Sequence, residues 1–320
     1  MIESDNNIEF SVIVTCYYEE KSIDEFYGRL SATMQKLGRS YELVMINDGS
    51  TDGTFEKLKA IYEKDKNVSA IIDFYRNSGQ AAAVTAGIQY ARGQHFILLD
   101  SDLELDPEEI PLLAAEFDKG YDIVSGYREQ RYVSLFRAVA SRIENMIVRK
   151  LARHNIKDFG CTFKIIDGRL VRAFDFGPHK IFHTGHLYSR AGKIKDILVS
   201  HHPRKYGRSG WTFTKLYALH VDNILGMSRR PFQLLSLACL FLSILFIGRI
   251  IMDWILPFSI LKEVTNGLIL NAIFLSILVS LTVMTAIGEY VIRNYIVLQQ
   301  YPHYIIKQIM QKRKCAHGDK

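Results

Sequence analysis

Two acidic clusters stand where apolar runs end: Asp100, Asp102 and Glu104 in LDSDLE, and Asp48 in INDGS. If the chain stays extended past Leu99, Asp100 and Asp102 share a face, because strand side chains repeat every two residues. Adjacent carboxylates need a cation, and a hard divalent ion such as Mg²⁺ or Mn²⁺, which also binds phosphates, suits oxygen donors. A DxD alone is equally at home in a loop or helix cap, so the two readings stand side by side here. A second constellation is basic: Arg128, Arg131, Arg137, Ser141 and Arg142. Guanidinium groups grip phosphate in bidentate fashion, and Arg137 and Ser141 share a helix face at i and i+4. A solvated or lipid-facing helix is the other use of such residues. Cys16, Cys161, Cys239 and Cys315 show no CxxC spacing and read as packing residues, and His201-His202 lacks the HxxxH or cysteine partner of a zinc site.

The elements that must position these groups alternate. Apolar runs at 10–14, 41–46, 68–72 and 95–99 predict strands, and helical spacing at 23–37, 54–62 and 81–91 predicts helices. A β-α-β-α-β-α-β order implies a mostly parallel sheet covered by helices, with ligands at the carboxyl ends of the strands. No GxGxxG follows the first strand and no GxxxxGK[ST] occurs, which argues against dinucleotide binding and nucleoside triphosphatase chemistry of the usual kind.

Residues 232–252 and 268–288 are 21-residue apolar runs, each spanning about 31 Å as a helix, close to the hydrocarbon thickness of a bilayer. Arg229 and Arg230 precede the first, and Lys307, Lys312, Arg313 and Lys314 follow the second, so positive charge predicts both termini on the cytoplasmic side. The opening MIESDNNIEF is polar and acidic and reads as no cleavable signal peptide. The net charge of +6 suits nucleic acid, anionic lipid or a phosphorylated substrate. The basic residues cluster beside the spans, which favours lipid and phosphate over nucleic acid.

Residues 11–19 (SVIVTCYYE), 46–54 (INDGSTDGT), 76–83 (RNSGQAAA) and 99–107 (LDSDLELDP) resemble, in order, the motifs of family 2, GT-A fold, inverting glycosyltransferases. Residues 125–131 (SGYREQR), 136–142 (FRAVASR), 158–163 (DFGCTF), 201–209 (HHPRKYGRS) and 288–293 (GEYVIR) narrow the resemblance to the polyprenyl-phosphate glycosyltransferases. That group comprises the dolichol-phosphate mannose synthases, the bactoprenol glucosyltransferases and the aminoarabinose transferases. The resemblance runs from about residue 10 to 304.

It implies an α/β GT-A, Rossmann-like, mostly parallel sheet followed by interfacial helices and a two-helix transmembrane hairpin. The expected bounds are a cytoplasmic GT-A domain at 1–210, an interfacial amphipathic helix at 211–231, the hairpin at 232–288, and a C-terminal interfacial helix and basic tail at 289–320. It implies nucleotide contacts from Thr15, Tyr17, Glu19, Asp48, Gly79, Gln80 and Asp100, a Mg²⁺ or Mn²⁺ ion on Asp102 with Asp100 and Glu104, and acceptor-phosphate contacts from Arg128, Arg131, Arg137 and Ser141. Asp100, Asp102 and Arg128 are the expected catalytic residues. Departures from the family pattern are Thr15 and Tyr18 for a proline and an asparagine, Asn47 for an aspartate, Glu104 for a glutamine, and Gly210 for a lysine.

The implied reaction moves one sugar from a nucleotide donor, UDP-linked by expectation, to undecaprenyl phosphate at the cytoplasmic face of a bacterial inner membrane. The implied partners are that donor, the polyprenyl-phosphate lipid, the membrane and further copies of the chain, a tetramer being one form. A phosphomonoester with a second pKa of ~6 is mostly dianionic at pH 7 and needs no catalytic base. Two alternatives stay open at this point: a family 2 transferase acting on a glycolipid hydroxyl, which would need a base, and a non-catalytic lipid-binding or scaffolding protein.

Overall fold

The computed structural model describes residues 7–128, 156–206, 241–242, 244–245, 262–298 and 301–312. The chain forms two units, Met1–Met227 with Pro302–Lys320, and Ser228–Tyr301. The first unit therefore runs past the expected boundary at 210 and reclaims the C-terminal residues.

Its strands are β1 (Phe10–Cys16), β2 (Tyr41–Asn47), β3 (Val68–Phe74), β4 (His95–Asp100), β5 (Ile123–Tyr127), β6 (Lys164–Asp167), β7 (Ile194–Leu198) and β8 (Ile306–Gln311), in the sheet order β7-β5-β6-β4-β1-β2-β3-β8. The central strands β4, β1, β2 and β3 are parallel, as the alternating pattern predicts, whereas β6 and β8 pair antiparallel with their neighbours. Nearly every residue of β1 to β4 is buried, as expected where helices cover both faces of a parallel sheet.

Helices α1 (Ile23–Leu37), α2 (Thr54–Lys64) and α4 (Ile110–Phe117) pack on one face through Phe26, Leu30, Met34, Leu58, Ile61 and Leu113. Helix α3 (Gln80–Tyr90), with the short α5 (Gly168–Arg172) and α6 (Thr184–Tyr188), covers the other. The small residues of α3 let it lie close to the sheet: a Cβ on Gly87 would stand 2.4 Å from Ile13 Cγ2 and 2.9 Å from Ile46 Cδ1. Close approach of α3 keeps its first residue, Gln80, and the preceding Gly79 near the strand ends.

The C-terminal expectation is corrected. Residues 306–311 do not continue an interfacial helix but form β8, antiparallel to β3, with Ile72 opposite Ile309. Tyr304 is buried, stacked on Phe74 at 4.9 Å between centroids, and its hydroxyl donates to Gln89 Oε1 at 2.7 Å. The physical reason is edge protection: β3 would otherwise expose a row of unpaired backbone groups. IKQIMQ spaces its apolar residues 306, 309 and 310 as a helix would, so pairing with β3 rather than local period makes it a strand.

In the second unit, α7 (Lys262–Leu298) is one continuous helix, longer at both ends than the expected span, and the window Leu275–Ile292 has mean hydropathy 1.8 with none of it buried. That is one helix long and apolar enough to cross a bilayer. The expected first span, apart from four helical residues at 241–242 and 244–245, and the interfacial helix at 211–231 lie outside the described residues.

Candidate active site

The acidic clusters meet at the carboxyl ends of the parallel strands. Thr15 is paired with both Ile46 and Asp100 in register, so the ends of β1, β2 and β4 stand side by side. Past β4, Ser101 donates from its backbone and its hydroxyl to Thr15 O, at 3.2 and 3.0 Å. Leu103 then takes φ 60°, a left-handed conformation costly for a branched side chain and concentrated at functional turns.

Asp100 is held by three donors from three elements. Thr15 Oγ1 donates at 2.5 Å, Gln80 Nε2 reaches both carboxylate oxygens at 2.6 Å, and Thr162 Oγ1 donates at 2.8 Å. Thr15, where the family pattern has proline, thus supplies a hydroxyl that orients the first acid. Asp102 and Glu104 instead share one cation. Arg204 places NH2 2.6 Å from Asp102 Oδ2 and Nε 3.1 Å from Glu104 Oε1. Burial, with Asp100 and Glu104 nearby, pushes Asp102 up to about 6 even with Arg204 opposing. Glu104 is held below the usual carboxylate range by His201, whose ring lies 3.5 Å away, and by Arg204.

The three acids expected to share a metal are therefore divided. Among the described residues no three His, Cys, Asp or Glu side chains converge tightly enough to hold an ion. Asp100 faces neutral donors, and a guanidinium bridges the other two. The donor set is nonetheless all carboxylate oxygen, the chemistry that suits Mg²⁺ or Mn²⁺. Asp102 remains hard to ionise with one arginine in place, which marks a site short of positive charge.

Arg204 lies in the motif at 201–209, and nothing in its local sequence marks it as the partner of these acids. Ser200 donates to Glu109 Oε1 at 2.9 Å, His202 Nε2 lies 2.7 Å from Asp106, and Lys205 Nζ lies 2.7 Å from Glu25. The segment lies along the acidic turn and α1, where its charges find carboxylates. Arg208, Gly210 and Trp211 lie outside the described residues.

The second acidic cluster serves the neighbouring loop. Asp48 is buried and accepts from the Ser78 and Gly79 backbone N–H groups at 2.7 and 2.9 Å and from Asn77 Nδ2 at 2.9 Å. Its carboxylate fixes the turn into α3 and thereby Gln80. Gly49, at φ 69°, passes so near this loop that a Cβ would stand 2.3 Å from the Arg76 carbonyl carbon. Asn47 donates to the buried Asp73 at 2.7 Å and accepts from the Ser50 hydroxyl at 2.5 Å. An aspartate there would face Asp73 as a second carboxylate, which accounts for the departure from the family pattern. Glu19 is buried, accepts from the Ser22 hydroxyl, and is pushed up to about 7 by burial, with Asp102 adding to the shift. Tyr17 and the exposed Tyr18 meet edge to face at 4.7 Å beside it.

Arg128 follows β5 and is clamped by Asp158: Nε to Oδ2 at 2.8 Å and NH2 to Oδ1 at 3.3 Å. Asp158, 3% exposed in its side chain, went unassigned in the sequence, although a semi-buried arginine demands a counter-charge. Arg131, Arg137 and Ser141 lie outside the described residues.

The model of the glycosyl transferase family 2 matches residues 11–177. The undecaprenyl-phosphate 4-deoxy-4-formamido-L-arabinose transferase of Salmonella paratyphi A is 31% identical over 315 residues, covering 94% of this chain and 93% of that protein. The protein of the same name from Salmonella newport matches over the same lengths at the same identity. The crystal structure of glucosyl-3-phosphoglycerate synthase from Mycobacterium tuberculosis with phosphoglyceric acid has a TM-score of 0.50 at 16% identity, over 69% of this chain and 79% of that one. This last likeness is one of fold.

Proposed function

The chain belongs to glycosyl transferase family 2, and from that premise we propose that it transfers one sugar from a nucleotide donor, UDP-linked, to undecaprenyl phosphate, with inversion at the anomeric carbon. It is a glycosyltransferase; the acceptor, donor and site roles are the proposal. The observation that carries it is the placement of Asp100, Asp102, Glu104 and Arg204 at the strand ends, with Arg128 just past the end of β5, two strands from β4, in a chain similar to undecaprenyl-phosphate transferases over nearly its whole length.

Asp102, Glu104 and Asp100 are the residues to hold Mg²⁺ or Mn²⁺, which when bound would neutralise charge developing on the leaving diphosphate. Thr15, Gln80 and Thr162 orient Asp100 toward the donor. Asp48 shapes the loop at 77–79 that borders the nucleotide, and Glu19, Tyr17 and Gly79 complete that side of the pocket. Arg128, pre-oriented by Asp158, receives the acceptor phosphate together with Arg131, Arg137 and Ser141. A phosphate dianion already carries its nucleophilic oxygen deprotonated, so no side chain has to act as base. Fixing the two substrates in line is then the main catalytic task.

The exposed apolar length of α7 supports attachment to the membrane, with 232–252 as the other arm of a hairpin, both termini cytoplasmic and 211–231 at the interface. Assembly into a homo-oligomer belongs to the same reading. The test is direct: purified protein in detergent with undecaprenyl phosphate, Mn²⁺ or Mg²⁺ and a panel of UDP- and GDP-sugars, read by mass spectrometry. One lipid gaining one sugar supports the proposal and identifies the donor. Transfer only to polyprenol or glycolipid hydroxyls, or none with any donor, overturns it.

A further inference from the structure

Lys164, the first residue of β6, is 1% exposed. Among the described residues its ammonium forms no hydrogen bond or ion pair; its recorded neighbour is the Tyr188 ring, 5.9 Å from Nζ to the centroid. A buried, unpaired ammonium is among the costliest groups a core can hold. A methionine would pack the same stem without that penalty.

Its place in the sheet gives it a use. Lys164 stands opposite Leu98 on β4 and Ser125 on β5, and Ser125 stands opposite Asp196 on β7. These residues form one row across the sheet, on the face covered by α6. Two residues along from Leu98 is Asp100, and three along from Ser125 is Arg128. Two residues before Lys164, the Thr162 hydroxyl donates to Asp100. The row thus lies immediately beneath the Asp100 and Arg128 side of the site.

We propose that Lys164 is a positioning residue for sugar transfer, whose buried positive charge beneath Asp100 and Arg128 counters the phosphates of donor and acceptor as charge moves between them. The inference rests on the transfer reading above. In that reaction the acceptor phosphate oxygen bonds to the anomeric carbon while the bond from that carbon to the diphosphate oxygen breaks, its electron pair leaving with the diphosphate. No proton moves, and a fixed cation close to both phosphates favours the charge-shifted state without having to reorganise. The groups acting on the ammonium are Cys161, Arg128, Asp196 and Asp100, with Tyr188 facing it from α6. Burial lowers it to about 8, so it remains mostly charged at neutral pH and loses its charge above that.

The test compares full-length wild type, Lys164→Arg and Lys164→Met in detergent at roughly pH 6.5 to 9.5, with saturating donor and undecaprenyl phosphate, which stays dianionic over most of that range. The wild-type kcat is expected to fall through an alkaline limb near pH 8. Lys164→Arg, always charged, moves the limb upward by about a unit or more. Lys164→Met keeps or raises Tm, leaves the donor KM within about threefold, and lowers kcat at pH 7 by ~10-fold or more with no limb. An unmoved limb in Lys164→Arg, or wild-type kcat in Lys164→Met, overturns the inference. If the wild type transfers no sugar to the lipid, the transfer reading fails separately. The same pH series is then read on UDP release from the donor by water with Mn²⁺: an alkaline limb near pH 8 in wild type that moves upward in Lys164→Arg is still required, and identical curves overturn it.

Discussion

Arg204 and Asp102, 102 residues apart in the chain, meet at 2.6 Å on the carboxylate that the sequence assigns to a metal ion. The guanidinium also touches Glu104, so one internal cation already balances two acids of the proposed metal site. If these acids hold a divalent ion, Arg204 would have to give up its place on them and would be free for the phosphates of the donor.

Arg204→Met should therefore tighten Mn²⁺ binding at pH 8 by several-fold, because no guanidinium has to be displaced, while transfer falls by ~10-fold or more. Calorimetric titration of Mn²⁺ beside a rate assay checks both. Weaker Mn²⁺ binding in the variant would show that Arg204 organises the carboxylates rather than competing for them.

Asn47→Asp should destabilise the fold by ~2–4 kcal/mol, since it replaces the donor that Asp73 uses with a second buried carboxylate. Lys307 Nζ, 3.3 Å from Asp73 Oδ2, offsets only part of that repulsion from the exposed edge. The double variant Asn47→Asp, Asp73→Asn restores a donor and should recover most of the loss. Denaturant titration of the four proteins in the cycle measures the coupling.

Glu19 should make stability fall with rising pH. Its folded pKa of about 7 lies above the unfolded value of ~4.3, so the protonated form is favoured by folding. The advantage is complete below pH ~4.3 and is lost as pH rises through 7. Glu19→Gln, neutral throughout, should match wild type at pH ~4 and exceed its Tm at pH 8 by ~2–4 °C. A constant Tm difference across that range would contradict the shift.

Tyr304→Ala should cost ~3–4 kcal/mol by removing the stack on Phe74 and the hydrogen bond to Gln89. Loss of β8 from the edge should follow, seen as faster exchange of the β3 amides and as concentration-dependent association. Unchanged protection at β3 would mean that β8 is held by its ladder alone.

The alternating strands and helices from 10 to 100 were legible because each element carries its own period. The expected helix at 23–37 is α1 to the residue, and each of the first four strands begins where the apolar run begins. The strand at 306–311 was not legible, because its apolar residues at 306, 309 and 310 have helical spacing and only the open edge of β3, a fact of three dimensions, draws it into a strand. In the site, Asp100, Asp102 and Glu104 stood out by type and spacing. Their partners did not: Thr162 and Arg204 lie 62 and 102 residues from the acids they touch, and Asp158 lies 30 residues from Arg128.

The sequence by itself determined the strand and helix order, the carboxylate chemistry at the strand ends, the apolar length of 268–288 and the family, because these depend on local period, composition and ordered motifs. Tertiary structure decided how the charges are matched. It gave Asp100 to neutral donors, Asp102 and Glu104 to Arg204, and Asp48 to the loop before α3, and it buried the Lys164 ammonium beside the Tyr188 ring. Buried charge has to be balanced by whatever packing brings near, and packing distance bears no relation to separation along the chain.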